Sequence, residues 1–145
     1  MLVNIKKLNE RAKIPTYGSD FSAGADLYAV CEGNLVINPN ETVLVHTYLS
    51  IEIPEGYGGF IYARSGLASK KGLAPANKVG VIDSDYRGEV MVALHNHSSL
   101  EQTISDGERI AQLVIAPFLK AEFAETNKLT DTERGAGGFG STGTK

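Results

Sequence analysis

A period of two is the feature that most limits what this chain can become. From Val43 to Ile53 the odd positions read Val43, Val45, Thr47, Leu49, Ile51 and Ile53, with Thr42, His46, Tyr48, Ser50 and Glu52 among the even ones. Successive strand side chains point to opposite faces, so this pattern predicts one long half-buried strand. Pro54, Gly56, Gly58 and Gly59 then mark a turn, and Phe60 to Ala63 opens another strand. Glu89 to His97 alternates again, with Val90, Val92 and Leu94 on one face. Ile110 to Ile115 is apolar on both faces except for Gln112, which predicts a strand covered on both sides.

No segment sustains a 3.6-residue period over 12 residues. The one helical signal is Ser65 to Gly72, with Ser65 as N-cap, lysines in its last turn and a glycine stop. Many short strands between turn clusters imply an all-β, jelly-roll-like barrel with one short helix. At 145 residues this is one domain with one core. The barrel is expected over residues 1–133, with residues 134–145 as a mobile, glycine-rich C-terminal lid. Between Leu129 and Lys145 five of 17 residues are glycine, too little apolar surface to offset the entropy of ordering.

Charge and cysteine exclude several classes. Lys and Arg number 14 against 17 Asp and Glu, a net −3, whereas a nucleic-acid polymer calls for a basic excess. Cys31 is the sole cysteine, so neither an internal disulfide nor a multi-cysteine zinc site is available. Met1 to Glu10 lacks the apolar segment of a signal peptide, and no run reaches the ~20 apolar residues of a membrane span. A cytoplasmic protein is expected, with no membrane contact and no evident partner protein.

Several clusters carry chemistry, each beside a plainer reading. Arg64-Ser65-Gly66 enters the short helix, where backbone N–H groups, a guanidinium fork and a hydroxyl suit a phosphate; the plainer reading is a capped helix with a surface arginine. Val79-Gly80-Val81-Ile82 runs into a turn at Asp83-Ser84-Asp85, and the apolar residues before Asp83 would partly shield it as a base. Alternatively the two aspartates form the turn by Asx-type hydrogen bonds. Gln112 is an amide in an apolar strand and needs a partner, either a ligand or the core backbone. His95 and His97 share a strand face as half a metal site, or as exposed histidines. Lys6-Lys7 and Lys70-Lys71 read as solvated charges. Gly138 to Gly143 has P-loop glycine spacing, but Thr144-Lys145 inverts the required order and no helix follows, which excludes a Walker ATPase.

Taken together the blocks are far more specific. Ala23-Gly24-Ala25-Asp26-Leu27, Arg64 to Ala68, Gly80 to Glu89, Gly107 to Gln112 and Arg134 to Gly143 resemble, in this order, the five motifs of the trimeric dUTPase family (deoxyuridine triphosphate nucleotidohydrolases). The resemblance covers residues 23–143. Ala63 departs from it, since the family often has proline before the arginine.

The resemblance implies a homotrimer with active sites at subunit interfaces, and hydrolysis of dUTP to dUMP and pyrophosphate with Mg²⁺. That reaction lowers dUTP and supplies dUMP for thymidylate synthesis. By motif position Asp83 is the general base for the attacking water. Arg64, Ser65, Gly66, Gln112, Arg134, Ser141 and Thr142 bind the triphosphate. Asn77, Gly80, Val81, Ile82 and Met91 form the uracil pocket, Tyr86 packs on deoxyribose, and Phe139 stacks on uracil. Asp26 either contacts Mg²⁺ through water or supports the site. A dCTP deaminase of the same fold and a nucleotide-responsive regulatory protein are the alternatives; the Asp83–Tyr86 motif and the aromatic tail favour phosphate chemistry.

Overall fold

The computed structural model describes residues 1–138. Strands β1 (Asn4–Lys7), β2 (Thr16–Tyr17), β3 (Ala25–Tyr28), β4 (Asn34–Ile37), β5 (Thr42–His46), β6 (Leu49–Glu52) and β7 (Tyr57–Tyr62) precede a single helix α1 (Ser65–Lys71). After it come β8 (Leu73–Pro75), β9 (Gly80–Ile82), β10 (Met91–Asn96), β11 (Gln102–Ser105) and β12 (Arg109–Pro117). The largest sheet has the order β2-β3-β12-β7-β9, a second has β5-β10-β8, and β1-β6 and β11-β4 complete the set. All pairings are antiparallel. These sheets close around one apolar core as a jelly-roll-like barrel, with Leu27, Ile37, Leu49, Ile51, Leu94, Ile104 and Ile110 fully enclosed.

The alternation over 43–53 keeps its phase, with Val45, Thr47, Leu49, Ile51 and Ile53 buried, but it is not one strand. It breaks between His46 and Leu49 and changes sheets: β5 pairs with β10, and β6 with β1. Tyr48 makes the corner with φ of 50°, a left-handed conformation costly for a bulky side chain. The cost is offset by specific bonds: the Thr47 hydroxyl donates to the Val90 carbonyl, and the Tyr48 N–H donates to Glu89 Oε1 at 2.8 Å. Sequence periodicity is blind to this break, because the inward face is the same before and after it.

Strand β12 is central, bonded to β3 on one side and β7 on the other. Ile110, Ala111 and Leu113 are buried, yet Gln112, Val114 and Ile115 are partly open in the single chain. Expected double coverage is therefore incomplete: Gln112 and Val114 share the more open face, while Ile115 packs against the core on the other. Two adjacent residues, Ile110 and Ala111, are both buried because the register slips between Arg109 and Ala111, as a β-bulge does.

Helix α1 starts differently from expectation. Arg64, in extended conformation, is its N-cap, no side chain caps it, and Ser65 is already helical. Its end is as expected: Gly72 adopts φ of 67° and its N–H returns to the Leu67 and Ala68 carbonyls. Lys71 is not a free surface charge. Its ammonium bonds the Thr103 carbonyl at 3.2 Å and Glu108 Oε1 at 2.8 Å, tying the helix to the β11–β12 turn. Between the two histidines, Asn96 is fully buried: its amide donates to the Ile37 and Leu100 carbonyls and its oxygen accepts from the Ser98 N–H and hydroxyl.

Candidate functional site

The sequence-selected residues fall into two clusters. The first surrounds a cavity of about 280 Å³ whose lining includes Asn77, Gly80, Val81, Ile82 and Met91, expected for a base pocket, with Asp83, expected as the general base, and Tyr86, expected against the sugar. Leu44, Ile61, Pro75, Glu89 and Ala93 also line it and were not singled out in the sequence. Strand β9 supplies the floor. Among the described residues it lies at the edge of its sheet, bonded only to β7, so its outer row of N–H and C=O groups has no sheet partner there. Pro75 and Asn77 build the preceding turn, with Lys78 at φ of 66° and the Lys78 N–H on the Pro75 carbonyl. A Cβ on Gly80 would stand 3.3 Å from both Ile61 Cβ and Asn77 Nδ2, so glycine lets β9 sit this close to β7.

Asp83 follows β9 in a turn closed by the Tyr86 N–H on the Asp83 carbonyl. It is exposed in the single chain, unlike the shielded carboxyl expected. Among the described residues neither Asp83 nor Asp85 uses its carboxylate in the turn, so the Asx-type reading does not hold. Arg87 closes this loop instead, its guanidinium donating to the Ser84 carbonyl at 2.6 Å and the Tyr86 carbonyl at 3.0 Å. The Tyr86 hydroxyl donates to the Glu89 carbonyl at 2.9 Å.

The second cluster is ionic. Asp26 on β3 is 6 % exposed and accepts from Arg64 Nε at 2.7 Å through Oδ1 and from Arg109 Nη1 at 3.2 Å through Oδ2. A buried carboxylate with one guanidinium per oxygen aims Arg64 at the start of α1, beside exposed Ser65 and Gly66. Gln112 sits opposite Asp26 in the β3–β12 register, and a Cβ on Gly24 would meet its Oε1 at 2.9 Å. Gly24 thus leaves room for the amide. Arg109 was missed in the sequence, although it lies inside the Gly107–Gln112 motif. Glu108 stands near this cluster; burial raises its pKa, but its hydrogen bonds to Lys71 and the Ser105 N–H, with the charges of Lys71 and Arg64, hold it below the ordinary value.

The clusters lie at opposite ends of β7. Ile82 pairs with Gly59, which puts Asp83 beside the start of β7, whereas Arg64 follows its end. Six residues at strand rise separate these points by about 20 Å. Within one protomer the backbones of Asp83 and Arg64 are therefore far apart.

Arg134 is exposed, and its Nε donates to the Gly137 carbonyl at 2.8 Å within a local turn. Phe139, Ser141 and Thr142 lie outside the described residues. His95 and His97 touch edge to face with centroids 4.3 Å apart, and His95 Nδ1 bonds Thr42 Oγ1. Among the described residues no three His, Cys, Asp or Glu side chains gather as a metal site, and no helix is long and apolar enough to cross a membrane.

Comparison with known proteins places the chain among dUTPases. A family model described as dUTPase matches residues 10–143. A deoxyuridine 5'-triphosphate nucleotidohydrolase of Hydrogenobaculum sp. is 51 % identical over 145 residues, covering 100 % of both chains. One from Nautilia profundicola is 52 % identical over 143 residues, covering 99 % of each. Among solved structures, a variant of the Staphylococcus bacteriophage 80alpha dUTPase with dUpNHpp superposes with a TM-score of 0.88 at 28 % identity, covering 98 % of each chain. A dUTPase variant from phage phi11 of S. aureus, described with a structural Mg(II) ion, gives 0.79 at 25 % identity, covering 88 % of this chain and 98 % of that one.

Proposed function

The chain belongs to the dUTPase family, and we propose that it hydrolyses dUTP to dUMP and pyrophosphate at sites shared between copies of itself in a homotrimer. The observation that carries this reading is the division of the site: a base-sized pocket with Asp83 at one end of β7 and the Asp26–Arg64–Arg109 cluster at the other. Both halves meet only when the pocket of one protomer faces the arginine cluster of the next.

In this reading uracil enters the pocket and pairs with the free edge of β9. Cytosine presents the opposite donor and acceptor there, which leaves groups unpaired at about 1–3 kcal/mol each. Thymine brings a methyl group against the wall of the pocket. Tyr86 lies against deoxyribose and excludes a 2′-hydroxyl. Arg64, Ser65, Gly66 and Gln112 of the neighbouring protomer hold the triphosphate. Asp83 accepts the proton of the water that attacks the α-phosphorus, and positioning with charge neutralisation supplies most of the remaining acceleration. Arg134, Phe139, Ser141 and Thr142 complete the phosphate and base contacts.

Mg²⁺ fits as a companion of the substrate. Both Asp26 oxygens accept from arginines, so the geometry favours the supporting role over the water shell of the ion. When bound with the substrate, Mg²⁺ would be held chiefly by phosphate oxygens and water, as suits its reluctance to dehydrate, and would supply charge neutralisation of the triphosphate. The cytoplasm, where free nucleotides are found, is the proposed place of action. Pyrophosphate release from dUTP, UTP, dTTP and dCTP with Mg²⁺ tests the assignment: release from dUTP far above the other three is expected, and equal release from all four would refute it.

A further inference from the structure

The loop that carries Asp83 and Tyr86 has no regular secondary structure, yet it is anchored at several points, and the strongest anchor has no part in the chemistry above. Glu89 ends this loop. Its carboxylate is only 16 % exposed and takes the Tyr48 N–H at 2.8 Å, with His46 Nδ1 at 3.0 and 3.1 Å from its two oxygens. These partners sit at the break between β5 and β6, where Tyr48 holds its left-handed φ and the His46 and Tyr48 rings stack at 5.0 Å. The Glu89 carbonyl, on the same residue, receives the Tyr86 hydroxyl. A Cβ on Gly88 would stand 2.6 Å from Tyr86 Cζ, so the hydroxyl end of the ring packs closely on the backbone just before Glu89. The Val90 N–H then bonds the Leu49 carbonyl on the far side of the break.

We infer that Glu89 is the positioning residue for sugar discrimination: its carboxylate pins the backbone to the β5–β6 break, and its pinned carbonyl seats the hydroxyl of Tyr86. A tyrosine held at one end only could swing and admit a 2′-hydroxyl. Fixed at its Cβ by the loop, and at its hydroxyl end by a fixed carbonyl and the close approach of Gly88, it is a rigid wall. The partner's chemistry explains why an acid sits here. One carboxylate oxygen can take the Tyr48 N–H while both face the imidazole, so the strained corner and the loop share a single anchor. The inference rests on the reading that Tyr86 packs on deoxyribose.

The test measures kcat and KM for dUTP and UTP in wild type, Glu89→Ala, Glu89→Gln, Tyr86→Phe and the Ala/Phe double variant. Glu89→Ala should raise the UTP/dUTP ratio of kcat/KM at least about fivefold, on the scale of a lost buried hydrogen bond. The change should come mainly from a lower KM for UTP. Glu89→Gln keeps an oxygen for the Tyr48 N–H and should return the ratio toward wild type. Tyr86→Phe breaks only the hydroxyl–carbonyl bond, needs no refolding of the anchor, and should raise the ratio as well. The double variant should exceed the larger single effect by little, because both changes cut one chain of contacts. An unchanged ratio in Glu89→Ala or in Tyr86→Phe, with wild type still preferring dUTP, would overturn the inference alone. A wild-type enzyme that turns over UTP as well as dUTP would overturn the reading beneath it.

Discussion

The two ends of β7 solve different recognition problems with different materials. At the β9 end the pocket combines an open strand edge, Gly80 packed on Ile61, the uncharged side chains of Asn77 and Tyr86, the carboxylate of Asp83, and a loop closed by Arg87 and Glu89. At the α1 end the material is charge, with one buried carboxylate holding two guanidinium groups. A flat neutral base is selected by shape and by unpaired polar groups, which demands rigidity. A triphosphate is held by fixed positive charge, which demands that the arginines be aimed before it arrives. The separation of about 20 Å along β7 is what the proposed sharing of sites between copies rests on.

Breaking the β9 end at its reacting group should have the largest effect. Asp83→Asn is expected to lower kcat by about 10²–10⁴-fold while dUTP still binds, since it removes the base and leaves the pocket intact. Equilibrium dialysis with single-turnover rates checks both halves, and retention of more than about a tenth of the rate would count against this role.

Breaking the other end should show in binding first. Asp26→Asn removes the counter-charge of Arg64 and Arg109. KM for dUTP should rise about tenfold, with a loss of roughly 1–3 kcal/mol in stability, at the low end of buried-pair effects because Arg109 is half exposed. Denaturant melts together with steady-state kinetics separate the two consequences. A variant with unchanged KM would show that Arg64 needs no aiming.

The smallest expected effect sharpens the comparison through pH. Glu108 is held below its ordinary value of 4.5 and bonds Lys71 at the end of α1. A carboxyl with a depressed folded pKa adds stability above its unfolded pKa, and that stability is lost as pH falls through the folded value. Acid should therefore weaken the α1 end below about pH 4.5. Lys71→Ala should flatten this part of the stability–pH curve at a cost of about 1 kcal/mol or less near neutrality. Urea melts from pH 3 to 7 on the two proteins provide the check, and identical curves would remove the pair from the account.

Much of this was legible in the sequence, and the residues explain where legibility ended. Val90, Val92 and Leu94 are buried as their alternation predicts, and Gly72 stops the helix as a glycine in that place should. The β5–β6 break escaped notice because a left-handed Tyr48 leaves the inward pattern of Val45, Thr47 and Leu49 in phase. Among the pocket residues, Asn77, Gly80 to Asp83, Tyr86 and Met91 came from the family resemblance, whereas Glu89 gave no local signal: its partners His46 and Tyr48 lie more than 40 residues away. Similarly, the pairing of Asp26 with Arg64 and Arg109 crosses the sheet and joins three separate motifs. Sequence spacing places residues along one element; it carries no information on which elements become neighbours.

The central claim is that pocket and arginine cluster come from different copies. Arg64→Ala and Asp83→Asn proteins, each nearly inactive alone, can be unfolded, mixed in equal amounts and refolded together. If each site takes Asp83 from one protomer and Arg64 from its neighbour, random assembly restores an intact pair at about a quarter of the sites, and dUTP turnover should recover to about that fraction of wild type. A mixture no more active than the two variants refolded separately would place both residues in one protomer's site and contradict the account.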